Sequence, residues 1–291
     1  ASHRQPLARG VVDAGSHTPE APIAPHCEHQ DMPRAPLYVL LACAQPADHG
    51  GQTPVYSLQR VEQFLAAQPA GAKFLADLRN SGVKAMRFYP DAEDPRAGPV
   101  VAARHPRLQD KFPTLEDEPA WWKLASSFGH HGVRHWFEPD TGSMRMDWWT
   151  PGFAKHPLHG NQVFFYGYGT HGSYFDKLMP GVPHRDRPYH SVLGCGREIT
   201  AEELCLMREA WAAAAERFKW HFGDILCLDN FRFGHGRDPF RGERRVMASF
   251  GNSVHWAAGG AQQPEAQEAP ARPLRGRALR LPWAYPSGQT L

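Results

Sequence analysis

Gly223-Asp-Ile-Leu-Cys-Leu-Asp-Asn-Phe-Arg-Phe-Gly-His-Gly-Arg-Asp-Pro-Phe-Arg-Gly-Glu-Arg-Arg245 reads as a strand, a loop and the start of another strand. Ile225 to Leu228 is an apolar run of strand length, too short for a helix, and predicts a buried strand. Asn230 to Pro239 predicts a loop that presents His235, and Arg244 to Trp256 predicts a further strand with Gly251 inside it. The same pattern recurs upstream. Leu37 to Ala44 (LYVLLACA) is a continuous apolar run between Pro36 and Pro46, and Gly82 to Tyr89 alternates with the period of a strand. Asp48 to Pro54 is a turn with paired glycines. Helical spacing appears in Leu58 to Leu78, where Val61, Phe64, Leu65, Phe74, Leu75 and Leu78 predict one or two helices. It returns in Thr200 to Trp220, where Thr200 and Glu203 form a capping box and Leu204, Met207, Trp211 and Phe218 share a face. Short strands joined by Gly and Pro turns, with helices outside them, predict a mainly β protein, a sandwich or jelly roll decorated by α-helices.

The composition narrows the class of partner. The chain has 291 residues, 42% hydrophobic and 11% aromatic, enough to bury a core, and a formal net charge of +2. No global field favours nucleic acid or an anionic membrane, and no stretch approaches a membrane span. The arginines of the tail (Arg272, Arg275, Arg277 and Arg280) read as a solvated basic stretch. Five cysteines without a C-x-x-C pair argue against a disulfide framework or a structural zinc cluster, and the expected setting is the cytoplasm. The unusual number is 17 histidines. His49, His105, His130, His131, His156, His159, His171, His184 and His190 stand beside Gly, Pro or charged residues and are expected on solvated loops.

His26 and Glu28, in Pro25-His26-Cys27-Glu28, are different. In an extended segment alternate side chains share a face, so an imidazole and a carboxylate project to one point. That is half of a 2-His-1-carboxylate metal triad, which leaves coordination positions open. His235 offers the second imidazole, and the paired Arg244-Arg245 offers a planar guanidinium for a carboxylate. Alternation lets only one of the two arginines face the site. A zinc hydrolase built on His26, Glu28 and His29 fits less well, because H-C-E-H lacks the i, i+4 helical spacing of H-E-x-x-H and follows Pro25. Cys27 is expected to point the other way, into the core.

Three blocks, His26-x-Glu28, Gly50-Gly51-Gln52-Thr53 and D-N-x(4)-H-G-R from Asp229 with Arg244-Arg245, resemble the TauD/TfdA-type iron(II) and 2-oxoglutarate-dependent dioxygenases of the clavaminate synthase-like group. The resemblance implies a double-stranded β-helix and a metal held by His26, Glu28 and His235. It also implies a 2-oxoglutarate carboxylate shared by Thr53 and Arg245, with Arg244 as the reserve, and O2 as the oxidant. Because Glu28 is present, the implied reaction is hydroxylation; halogenating relatives carry a small residue there. In some relatives the residue four past the late arginine helps hold an acidic substrate, and here that place is Ser249.

Relatives also carry a longer segment before the first ligand, so this chain is expected to be truncated or compact there. Their two histidines lie closer together, so residues 92–200, rich in Trp121, Trp122, Trp136, Trp148, Trp149 and Tyr168, are expected to be a long insertion whose aromatics pack a core around an irregular sheet, with a lid or pocket wall as the alternative. One domain over 1–256 and a largely disordered tail over 257–291 complete the expectation, with Leu279 to Tyr285 docking back. Tyr166, Trp148 and Arg87 are candidate pocket residues for a small-molecule substrate such as an amino acid or natural-product intermediate. Desaturation or epoxidation would use the same residues. The rival reading is a catalytically silent jelly-roll domain whose aromatic surface binds a partner.

Overall fold

The computed structural model describes residues 6–14, 18–32, 34–102, 107–108, 133–167 and 173–255. Trp121, Trp122, Tyr168, His105, His130, His131, His171 and the tail from residue 256 lie outside the described residues.

Two antiparallel sheets form the centre. One has five strands in the spatial order Pro6–Ala8, Val11–Asp13, Arg245–His255, Arg34–Gln45 and Ile225–Asp229. The other has four, in the order Ala215–Glu216, Val55–Ser57, Phe233–Arg237 and Ile23–His26. Val39, Leu41, Val246, Ala248 and Leu228 from the first pack with Val55 and Phe233 from the second, so the sheets share one apolar layer. This is the jelly roll that short, Gly-punctuated strands predict.

The Leu37 to Ala44 run sits inside Arg34–Gln45, paired on both edges. Its burial alternates: Val39, Leu41 and Cys43 face the core while Leu40 is exposed. The predicted Ile225 to Leu228 strand exists, but it lies at a sheet edge with Ile225 exposed, so only Leu226 and Leu228 turn inward. Strand alternation puts Ile225 and Cys227 on the solvent-facing side of the sheet.

Two helices, Leu58–Ala66 and Pro69–Ser81, cover one side with Val61, Leu65, Phe74, Leu75 and Leu78 buried. A third, Ala201–Ala213, starts at the predicted capping box, with Thr200 and Glu203 bonded reciprocally. It ends earlier than its periodicity predicts. Ala215–Glu216 pairs with Val55–Ser57, and Phe218 stacks edge-on against Trp220 in the layer between the sheets instead of joining Leu204, Met207 and Trp211. Trp211 is fully buried, 5.2 Å from the ring of Tyr56.

A further four-stranded sheet is ordered Tyr189–Leu193, Val83–Tyr89, Met144–Thr150, Arg134–Phe137. Three of its strands come from the 92–200 stretch and one from before it. The Asn230 to Pro239 loop is itself a strand, Phe233–Arg237, bonded on both sides. Gly234 and Gly236 conceal it in the sequence, and packing explains them. A Cβ on Gly234 would lie 2.9 Å from the Trp211 ring, and one on Gly236 would lie 2.7 Å from the Ile23 carbonyl. Two histidines expected on solvated loops, His156 and His190, are buried at 1% and 2% exposure.

Candidate metal centre

His26 ends Ile23–His26, and His235 sits directly across from it in the ladder of Phe233–Arg237. Cross-strand neighbours on one face approach closely, and the two rings lie 4.5 Å apart. Glu28 does not continue the strand. It lies in a turn, followed by His29 at φ +56°, and the turn swings the carboxylate back over the imidazoles. Glu28 Oε1 is 3.7 Å from His26 Nε2 and 3.6 Å from His235 Nε2. Glu28 and His235 are buried and His26 is half-buried.

This donor set fits a divalent first-row metal. Its three ligand atoms lie within 4.8 Å of one another. His26 Nδ1 is 2.9 Å from the Ala24 carbonyl, which can only accept, so the neutral ring carries its proton on Nδ1 and turns the Nε2 lone pair toward Glu28. Two imidazoles and one carboxylate would hold such an ion and leave coordination positions open for other ligands.

The cavity at the centre is lined by His26, Glu28 and His235, and also by Thr53, Arg237, Arg244, Leu41, Val246 and Ala248. Thr53 is buried and follows Gly50 and Gly51, both at positive φ, where only glycine is unstrained. Its hydroxyl accepts from Trp220 Nε1 at 3.0 Å and Arg244 Nη2 at 3.4 Å, while Arg244 Nε donates to the Gly51 carbonyl at 3.0 Å. Burial pulls the Arg244 guanidinium below its ordinary value, but it remains a cation at neutral pH.

Arg244 therefore occupies the place expected of Arg245. The cavity takes residues 244, 246 and 248 from this stretch, and strand alternation turns Arg245 and Ser249 to the opposite face. Ala248, not Ser249, is the residue four past the inward arginine, and it carries no charge.

Tyr166, Trp148 and Arg87 do not line this cavity. Tyr166 bonds Ser191 through its hydroxyl at 2.8 Å. Arg87 pairs with Asp31 and lies against the rings of Trp148 and Tyr189. Trp220 was not singled out by the sequence, and Arg237 entered only as the last residue of the D-N-x(4)-H-G-R block, with no role of its own. Arg237, two residues beyond His235 on the same face, donates to the carbonyls of Thr18 and Ala21 at 2.6 and 2.7 Å and so ties down the cavity wall.

Two histidines and a carboxylate beside a threonine and an inward arginine, between the sheets of a jelly roll, are the donor set that mononuclear non-haem metal enzymes use. The chain belongs to the taurine catabolism dioxygenase TauD, TfdA family, whose profile matches residues 3–250. This is a family of dioxygenases that use Fe(II), 2-oxoglutarate and O2. The chain is 25% identical over 272 residues to the dapdiamide synthesis protein DdaC of Enterobacter agglomerans, covering 91% of this chain and 76% of that one. Among solved structures it is similar to PvcB of Pseudomonas aeruginosa, with 13% identity, a TM-score of 0.44, and 87% of this chain and 66% of that one covered. It is likewise similar to a taurine dioxygenase of Burkholderia xenovorans, with 13% identity, a TM-score of 0.44, and 90% and 69% covered. The chain spans about two thirds of the length of these two structures. Among the described residues no helix is long and apolar enough to cross a membrane.

Proposed function

We propose that His26, Glu28 and His235 hold iron(II), that Thr53 and Arg244 hold the distal carboxylate of 2-oxoglutarate, and that the chain hydroxylates an unactivated carbon of a small molecule. The convergence of Glu28 Oε1 on two imidazole Nε2 atoms carries this reading. Bound together there, iron(II), 2-oxoglutarate and O2 would supply the oxidation: one oxygen atom enters a C–H bond, the other enters succinate, and CO2 leaves.

The protein's own part is positioning. The Ala24 carbonyl fixes the His26 tautomer, and Thr53 and Arg244 offer a hydroxyl and a guanidinium to one carboxylate. Leu41, Val246 and Ala248 keep that side of the cavity apolar and exclude water. The substrate lacks a second anionic group bound at position 248, because Ala248 has nothing to bind it with. An amino acid or natural-product intermediate suits such a site, and DdaC is by name a dapdiamide synthesis protein. The sheet drawn largely from residues 92–200 is proposed as the outer wall of the substrate pocket, within a single catalytic domain. A reducing, cytoplasmic setting agrees with cysteines that are all free, Cys27 and Cys43 being buried and Cys195, Cys205 and Cys227 exposed.

Anaerobic titration of the metal-free protein with iron(II) and 2-oxoglutarate tests the centre. The expected result is the visible charge-transfer band of the chelate in wild type and its loss in His235→Ala. A folded protein without the band would contradict the reading. Substrate-dependent succinate formation across an amino-acid panel then tests the substrate class.

A further inference from the structure

We propose that Asn230 is the positioning residue for the Glu28 carboxylate, and that His156, acting through Asp229, holds Asn230 in place. The inference rests on the metal-centre reading above.

Asn230 is fully buried. Its Oδ1 accepts the Glu28 N–H at 2.8 Å, and its Nδ2 donates to the Glu28 carbonyl at 2.9 Å and to the Pro36 carbonyl at 3.0 Å. Its own N–H donates to the Leu37 carbonyl at 2.9 Å. One side-chain amide thus bonds both backbone groups of Glu28, which sits in a turn beyond the end of Ile23–His26. A carboxamide suits the task because it is donor and acceptor at once; a carboxylate only accepts, and a methyl does neither.

Asp229 fixes the direction of Asn230. Its Oδ1 accepts the Phe231 N–H at 3.0 Å, and its Oδ2 lies 3.0 Å from His156 Nε2. His156 belongs to the connection between Phe153–Lys155 and Gln162–Phe164. Its Nδ1 faces the N–H groups of Leu158 and His159, at 3.2 and 3.3 Å. A nitrogen that accepts two donors carries no proton, so the ring proton is on Nε2 and is given to Asp229. That tautomer decides the nature of the grouping His156, His159 and Asp229, whose donor atoms also lie within 4.8 Å of one another. His156 points a proton, not a lone pair, at Asp229, so the grouping is a hydrogen-bonded brace.

The test uses the full metal-free chain, with Co(II) as the probe and its d–d absorption as the readout. Thermal unfolding without metal is measured alongside. Partners of metal ligands are typically worth roughly 10- to 100-fold in affinity, and Asn230→Ala is expected to weaken Co(II) binding by that factor and to change the d–d band. Met144→Ala, a truncation in the separate apolar cluster of the outer sheet, is expected to lower Tm and leave Co(II) affinity unchanged. His156→Gln, whose amide N–H can replace Nε2–H, is expected to retain affinity that His156→Leu loses. This pair carries the test if Asn230→Ala does not fold.

Affinity of Asn230→Ala within about twofold of wild type would overturn the proposal. So would equal losses in His156→Gln and His156→Leu, or a loss in Met144→Ala matching that of Asn230→Ala. Co(II) binding indifferent to His235→Ala overturns the metal centre itself. Binding that needs His235 but ignores Asn230 overturns only the positioning role.

Discussion

Trp220 donates its indole N–H to the Thr53 hydroxyl across 3.0 Å, between two buried residues 167 positions apart in the chain. Thr53 Oγ1 also accepts from Arg244 Nη2 at 3.4 Å. With both acceptor sites taken, its own proton is left to donate, and a carboxylate bound in the cavity that Thr53 lines would supply the acceptor. Trp220 thereby sets the direction in which Thr53 donates.

Trp220→Phe keeps an aromatic ring in the layer between the sheets and removes that donor. A neutral hydrogen bond contributes about 1 kcal/mol, so the Kd for 2-oxoglutarate is expected to rise about fivefold. Isothermal titration of the Co(II)-loaded protein measures it, and an unchanged Kd would show that Thr53 orients without Trp220.

Arg244→Lys and Arg245→Lys separate the two adjacent arginines. Lysine retains the charge but loses the planar fork, and a charge-assisted pair is worth about 1.5–3 kcal/mol. The Kd for 2-oxoglutarate is expected to rise roughly 10- to 100-fold in Arg244→Lys and to stay near wild type in Arg245→Lys. The reverse order would mean that Arg245 faces the cosubstrate.

Metal stoichiometry follows from the His156 tautomer. His159→Ala is expected to leave the number of Co(II) ions bound per chain unchanged, and His235→Ala to reduce it by one. Loss of an ion in His159→Ala would show that the His156, His159 and Asp229 grouping ligates metal.

Asp94, in the segment that follows Val83–Tyr89, supplies a pH dependence. Burial opposes its ionisation, but Arg96, which donates to both carboxylate oxygens, and the Ser143 hydroxyl outweigh burial and hold its carboxyl well below the usual range. A depressed folded-state value gives stability that is complete above the unfolded-state value of about 4 and is lost as pH falls toward the folded one. The gap in urea midpoint between wild type and Asp94→Asn is therefore expected to be widest near neutrality and to narrow below about pH 4. A gap independent of pH would assign Asp94 a packing role only.

Much of the centre was legible because its parts are local. The spacing of His26 and Glu28, the Gly50-Gly51 turn before Thr53 and the Asp229-Asn230 pair ahead of His235 are short patterns whose chemistry names itself. The capping box at Thr200 and the apolar run ahead of the turn are equally local. The geometry behind them was less legible. Glu28 meets His26 through a turn clamped by Asn230, not through strand alternation, and His235 lies on a strand whose two glycines read as loop.

By itself the sequence determined the donor types, the order in which they enter the fold, and the periodicities that make helices and strands, since all of these are set by neighbours in the chain. Only the tertiary structure decided that Arg244 and not Arg245 turns inward, that His156 is buried against Asp229, and that the helix from Ala201 stops at Ala213. Side-chain direction on a strand depends on which face meets the other sheet, and the proton on an imidazole depends on the groups packed around it. Both depend on residues far away in the chain, brought close only when the two sheets close on each other.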